Sequence, residues 1–175
     1  MEYINRLSFD DFIELFGNVI EHGKLVAGAI WARRPFYDAG NIWEAVCEFL
    51  DALPLQGKVA TLRLYPDLAG KLAKSNRLSE ESHQEHRTAG LLALTADETR
   101  LLTAMNKKYR ERFLFPFIIC ARQNQKDAIL SEMKARMQNT REIELEKSLE
   151  EVKKIAWHRI VDLIRNQPEV LTSKY

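Results

Sequence analysis

Charge of one sign, paired cysteines and long apolar runs are all missing from this sequence, and each absence closes off a class of function. The 175 residues carry 26 Lys and Arg against 25 Asp and Glu, a formal net charge of +1, so no overall field draws the chain toward nucleic acid or an anionic membrane surface. The two cysteines, Cys47 and Cys120, lie far apart in apolar company, which suits buried free thiols in a reducing compartment rather than a disulfide framework. No stretch approaches the ~20 consecutive apolar residues of a membrane-spanning helix, and the opening M-E-Y-I-N-R lacks the basic start and apolar segment of a secretory signal. A soluble chain with neither a nucleic-acid nor a membrane partner is expected. Catalytic fingerprints are missing as well: there is no G-x-x-x-x-G-K-[ST], no dinucleotide motif, no H-E-x-x-H and no C-x-x-C, so spacing alone names no reaction.

What is present is helical periodicity. Ser8 is placed to cap a helix whose apolar positions Phe9, Phe12, Ile13, Phe16, Val19 and Ile20 recur at three and four residues, with Gly23 as its stop. A second block runs from Leu25 to Trp31 and is closed by Arg33, Arg34 and Pro35. Asn41 is read as the cap of a helix through Leu50, and a shorter one spans Gln56 toward Leu64 until Pro66. The polar stretch from Tyr65 to Leu78 reads as a loop. Ser79 opens S-E-E-S-H-Q-E-H, with carboxylates in the first turn where the helix dipole favours them.

Thr95 and Glu98 form a capping box ahead of a long helix through Tyr109. The run F-L-F-P-F-I-I-C-A, residues 113–121, is strand-like in composition, but Pro116 cannot donate to a ladder and no partner strand is in sight, so it reads as a buried extended connector. Helical spacing returns from Lys126 to Gln138, and Thr140 opens a final helix whose Glu and Lys run reads as a solvated face. The sum is an all-α, single-domain bundle over residues 1–175, with a chain long enough to bury a core unaided.

Polar chemistry gathers in one region. Tyr65, Pro66 and Asp67 lie in the loop, and Ser82, Glu85 and His86 on the following helix are related by three and four residues, which puts them on one face. That face is either an ordinary solvated helix surface, alongside Glu80, Glu81, His83, Gln84 and Arg87, or one wall of a site. His22, at a helix end, and His158, on a charged helix, read as structural or solvated.

Longer stretches carry a resemblance. The segment Y-P-D-L-A-G-K, residues 65–71, followed by L-S-E-E-S-H-Q-E-H-R-T-A-G-L, residues 78–91, is similar to the signature H-P-D-L-A-G-[RK] and E-S-x-x-E-Q-x-x-A-G of the 2-oxo-4-hydroxy-4-carboxy-5-ureidoimidazoline (OHCU) decarboxylase family. F-G-N-V at 16–19, R-P-F at 34–36, Y-x-x-R-F-x-F-P-F-x-I-C-A-R at 109–122 and E-L-E-x-x-x-E-E-V-K-K-I at 144–155 agree in the same order.

The resemblance implies a compact helical bundle acting as a homodimer, with no metal and no organic cofactor, converting OHCU to (S)-allantoin in urate degradation. The substrate's own C=N bond, beside the departing carboxylate, takes up the electrons, so the protein need only orient, desolvate and move protons. Carried over by position, Glu85 matches the catalytic glutamate, Ser82 a substrate-binding serine, and Arg159 in W-H-R-I the arginine that holds anionic or carbonyl oxygens. The alternative for Arg159 is an ordinary salt bridge. Pro66, Phe117 and Ile119 match pocket-lining positions, and His86 joins the substrate-binding set where the family has Gln.

Tyr65 stands in the place of the family's catalytic histidine. A phenol near pKa ~10 is a poor general base at neutral pH, whereas imidazole titrates near ~6.5. Three outcomes are compatible with this change: impaired turnover, transfer of the proton role to His86 or His83, or binding of a related ureido compound without turnover. The last three residues, Ser173, Lys174 and Tyr175, resemble a peroxisomal Ser-Lys-Leu address with a changed terminus, which leaves a peroxisomal or a cytoplasmic location open.

Overall fold

The computed structural model describes residues 1–68, 79–91 and 93–166. Among them are nine α-helices, one 3₁₀ turn and no strand, the all-α architecture expected. The helices are α1 (Glu2–Arg6), α2 (Phe9–Phe16), α3 (Lys24–Trp31), α4 (Ala39–Ala52), α5 (Leu55–Arg63), α6 (Glu80–Thr88), α7 (Ala96–Phe113), α8 (Lys126–Arg136) and α9 (Arg141–Arg165), with the 3₁₀ turn at Ala121–Gln123.

Local chemistry starts most of them. Ser8, Ser79 and Thr140 each accept a backbone N–H three residues on, and Thr95 with Glu98 completes a capping box, its N–H donating to Glu98 at 2.8 Å. Such caps satisfy donors that the first helical turn leaves free.

Two boundaries differ from the sequence reading. The helix begun at Ser8 ends at Phe16 rather than continuing to Ile20, although Val19 and Ile20 are still buried. The Asn18 carbonyl is taken by the Arg159 guanidinium at 2.8 Å, and the Asn18 side chain accepts the His22 N–H, so the chain leaves the helical ladder there. The cap of α4 is Asp38, which accepts the Asn41 N–H at 2.9 Å, and not Asn41 itself. The expected loop of residues 65–78 is described only to Leu68, and its remainder lies outside the described residues.

The long helix α9 is the spine. It packs most extensively on α4, where Val152, Ala156 and Ile160 are buried, as are Ile42, Val46 and Leu50. Trp43 donates its indole N–H to the Lys153 carbonyl at 2.9 Å and meets Trp157 edge to face. Helices α2 and α3 pack on each other, and within α2 Phe12 stacks on Phe16. Burying these side chains fully contributes about 1.5–3 kcal/mol each before entropy is counted.

Residues 114–120 form the extended connector that Pro116 suggested. Phe115, Phe117, Ile118 and Ile119 are buried, and side chains satisfy its backbone: Arg136 donates to the Ile118 carbonyl at 2.9 Å, and Glu151 accepts the Cys120 N–H at 2.7 Å. Buried peptide groups need such partners where no ladder exists. The charged face of α9 is not uniformly solvated. Glu144 is fully buried, gripped by Arg136 at 2.5 Å and hydrogen-bonded by Tyr109. Cys120 is buried and Cys47 half-buried, both as free thiols.

Candidate active site

Ser79 caps α6 by accepting the Ser82 N–H at 3.2 Å, and both serine hydroxyls donate to Glu21, tying the start of the helix to the turn after α2. The three-and-four spacing then turns Ser82, Glu85 and His86 inward, where all three are buried, while Glu80, Gln84 and Arg87 face solvent. The solvated-surface alternative does not hold for those three residues.

Behind α6 stands Arg159, 2% exposed, on α9. Its guanidinium holds Glu85 by both arms, Nε to Oε1 at 2.9 Å and Nη2 to Oε2 at 2.8 Å. Nη2 also donates to Ser82 Oγ at 3.0 Å, and Nη1 to the Asn18 carbonyl at 2.8 Å and Glu21 Oε2 at 3.0 Å. All five N–H groups of the fork therefore end on protein acceptors. Arg122 adds a second cation, its Nε 3.8 Å from Glu85 Oε1 and its Nη1 paired with Asp162.

Glu21, in the turn after α2, is a carboxylate that the sequence did not single out. It is fully buried and accepts from Ser82 Oγ at 2.7 Å and Ser79 Oγ at 3.1 Å as well as from Arg159. Burial pushes its carboxyl up, but the Arg159 charge and the hydrogen bonds from Ser82, Ser79 and Arg159 outweigh that and hold it below the usual range. Its other oxygen, Oε1, has no hydrogen-bond partner among the described residues and lies 3.7 Å from His22 Nε2. The only trace of Glu21 in the sequence is a carboxylate closing the run F-G-N-V-I-E, a pattern that does not separate a buried acid from a surface one.

Tyr65 is buried just after α5, and its phenol oxygen accepts the Glu21 N–H at 3.5 Å, a long bond. Burial raises its pKa well above the ordinary phenol value, more than the nearby Arg159 charge lowers it. The phenol is therefore neutral at physiological pH. His86 is 5% exposed, its Nδ1 is without a partner, and burial lowers its pKa to about 4.

These segments line a small, partly open cavity of about 20 Å³, whose described walls are Tyr65, Pro66, Leu68, Ser82, Glu85, His86, Phe117, Ile118, Ile119, Ala121 and Ile155. Of the residues singled out in the sequence, Tyr65, Pro66, Ser82, Glu85, His86, Phe117 and Ile119 all reach its wall. Arg159 does not, and acts on it through Glu85 and Ser82. The space among the described residues suits about one water molecule.

A larger groove of about 570 Å³ lies between the N-terminal ends of α5 and α9, lined by Leu55, Val59, Ile143 and Leu145 with Arg141, Glu142, Glu146 and Lys147. No buried polar group converges on it, so the smaller cavity, apolar-walled with four convergent polar side chains, is the candidate site. Among the described residues no three His, Cys, Asp or Glu side chains gather as a metal site.

Known proteins share this sequence and fold. The OHCU decarboxylase family model matches residues 5–161. The 2-oxo-4-hydroxy-4-carboxy-5-ureidoimidazoline decarboxylase of Xenopus laevis is 42% identical over 164 residues, 94% of this chain and 94% of its own. That of Amia calva is 41% identical over 165 residues, again 94% of each. Among solved structures, (S)-allantoin synthase matches with a TM-score of 0.74 at 23% identity, over 93% of this chain and 52% of that one. OHCU decarboxylase crystallised in the presence of (S)-allantoin matches with 0.69 at 20% identity, over 86% and 97%. At those identities the two structures speak to the fold. The family model and the end-to-end relatives decide membership: the chain belongs to the OHCU decarboxylase family.

Proposed function

We propose that this protein decarboxylates OHCU to (S)-allantoin, using the substrate's C=N bond rather than a cofactor as the electron sink. The observation that carries the reading is the Glu85 carboxylate, held by both arms of Arg159 in the wall of the apolar cavity. A bidentate pair fixes the direction of both carboxylate oxygens. A carboxylate so fixed costs little reorganisation when charge moves in the substrate. In this reading Glu85 faces the substrate's polar groups and Ser82 offers a hydroxyl. Pro66, Phe117 and Ile119 exclude water, while Arg159 positions Glu85 and Ser82. Tyr65, in the histidine position, acts as a neutral hydrogen-bond donor. A homodimer and a peroxisomal address belong to the same proposal, the first from the family resemblance and the second from Ser173–Tyr175, which lie outside the described residues.

The test is to generate OHCU in place and follow the circular dichroism of the allantoin formed. Dichroic product appearing faster than spontaneous decay supports the reading, and decay at the spontaneous rate overturns it. A second reading, binding without turnover, is favoured by the raised pKa of the Tyr65 phenol. Calorimetry that detects allantoin binding in a protein without turnover would establish it.

A further inference from the structure

Among the described residues, four polar side chains reach the cavity wall: Tyr65, Ser82, Glu85 and His86. Three of them are engaged. Both Glu85 oxygens accept from Arg159. The Ser82 hydroxyl donates to Glu21 at 2.7 Å and accepts from Arg159 at 3.0 Å. The Tyr65 oxygen meets the Glu21 N–H, and its proton is held tightly by burial. His86 also lines the wall, and its ring nitrogen Nδ1 is buried with no hydrogen-bond partner among the described residues. A buried polar atom without a partner is uncommon and calls for an explanation.

We propose that His86 is the proton carrier of this site, taking the hydroxyl proton of the substrate and returning it to the ring carbon that becomes the stereocentre of allantoin. This rests on the decarboxylase reading above. The steps balance. The bond from C4 to the carboxylate breaks and carbon dioxide leaves; its electron pair forms a C4=C5 double bond as the C5=N π pair moves onto nitrogen, which takes a proton from solvent. The C4 hydroxyl then loses its proton to neutral His86, giving the C4 carbonyl, while C5 takes a proton from the imidazolium. His86 ends neutral, as it began.

The surroundings suit both halves of that exchange. Burial is the main cause holding the imidazole neutral at rest, Glu21 from the turn after α2 works in the opposite direction, and His83 from its own helix and Arg159 from α9 add to the lowering. From the segment after α5, Tyr65 contributes only a neutral phenol, and the connector side chains Phe117 and Ile119 are apolar. A neutral imidazole accepts a proton at physiological pH, and once protonated in such surroundings it is a stronger acid than free imidazolium, which favours delivery to carbon. Because His86 sits on one wall, the proton arrives from one face.

The experiment is H86Q with OHCU generated in place, reading kcat, KM and the enantiomeric excess of the allantoin. The expected result is a kcat lower by about a hundredfold or more, KM changed far less, and product approaching the racemate that undirected protonation gives. A loss below about tenfold, or a deep loss with the enantiomeric excess intact, overturns the proposal. If H86Q does not fold, nuclear magnetic resonance of the histidine imidazoles in the parent protein decides: allantoin should shift the His86 ring, and an unmoved ring overturns it. A parent protein with no turnover sinks the decarboxylase reading itself, whereas an active parent with an unimpaired H86Q sinks only the role of His86.

Discussion

Arg159 and Glu85, 74 positions apart in the chain, meet through two hydrogen bonds of 2.9 and 2.8 Å in a region where neither side chain is more than 7% exposed. Taking a buried ion pair out of water is costly, but leaving one member behind costs more. Replacing Arg159 with Met should therefore strand two carboxylates, Glu21 and Glu85, and lower stability by about 3–5 kcal/mol in urea unfolding. Replacement with Lys keeps a charge but not the fork, and should fall between the two. An R159M protein as stable as its parent would contradict this ordering.

Glu21 makes three side-chain hydrogen bonds yet does not reach the cavity wall, so its effect on turnover should be indirect. In E21Q the amide can still accept from Ser82, but the charge that shares Arg159 with Glu85 is gone. Stability should fall by about 1–3 kcal/mol, with kcat reduced more than KM because Ser82 and Arg159 lose their setting. A kcat equal to the parent's would show that Glu21 only fills the core.

The helices were legible because their signals are local. Ser8, Ser79, Thr95 and Thr140 cap helices through atoms three residues away, and Pro116 removes the strand alternative within its own segment. The end of α2 and the burial of Glu21 were not legible, since both depend on Arg159, 141 residues from Asn18 and 138 from Glu21. No window of sequence contains that contact. Glu144 on α9 is a second case: its neighbours Glu142 and Glu146 are exposed, and Arg136 and Tyr109, from two other helices, join the nearby Asn139 in holding its carboxylate in the interior. The site residues were assembled by family resemblance, because spacing alone left Ser82, Glu85 and His86 as a plausible wet face.

Tyr65 and His86 line one cavity from two segments, and the pattern of the family resemblance has a histidine at the first position and a glutamine at the second. The double variant Y65H/H86Q returns both positions to the pattern of the family resemblance, so it should recover at least about tenfold of the kcat that H86Q loses. Phenylalanine at position 65 removes a phenol whose one hydrogen bond among the described residues is the long one from the Glu21 N–H. It should lower kcat by about two- to tenfold, the worth of one neutral hydrogen bond, and stability by roughly 0.5–1.5 kcal/mol. Steady-state rates and urea midpoints for these variants check both statements.

Acid should destabilise the fold partly through His86. Its imidazole is lowered to about 4 in the folded protein, whereas in the unfolded chain it titrates near ~6.5. Below that higher value the unfolded chain binds a proton that the folded one refuses, so stability falls as pH drops from ~6.5 toward about 4, by on the order of 3 kcal/mol in all. Glu21, held below its ordinary range, adds a loss in the same direction at lower pH. Urea unfolding at pH ~7 and pH ~5 should show a smaller drop for H86Q than for the parent. Equal drops would mean that the imidazole titrates normally.

The most direct test of the Glu85 and Arg159 centre is the rate of OHCU loss, generated in place, for the parent and for E85Q. Glutamine keeps the shape of the cavity wall and removes the charge that Arg159 orients. A parent rate at least about a hundredfold above spontaneous decay, falling close to that background in E85Q, is the expected result. An E85Q protein that consumes OHCU as fast as the parent would contradict the central claim.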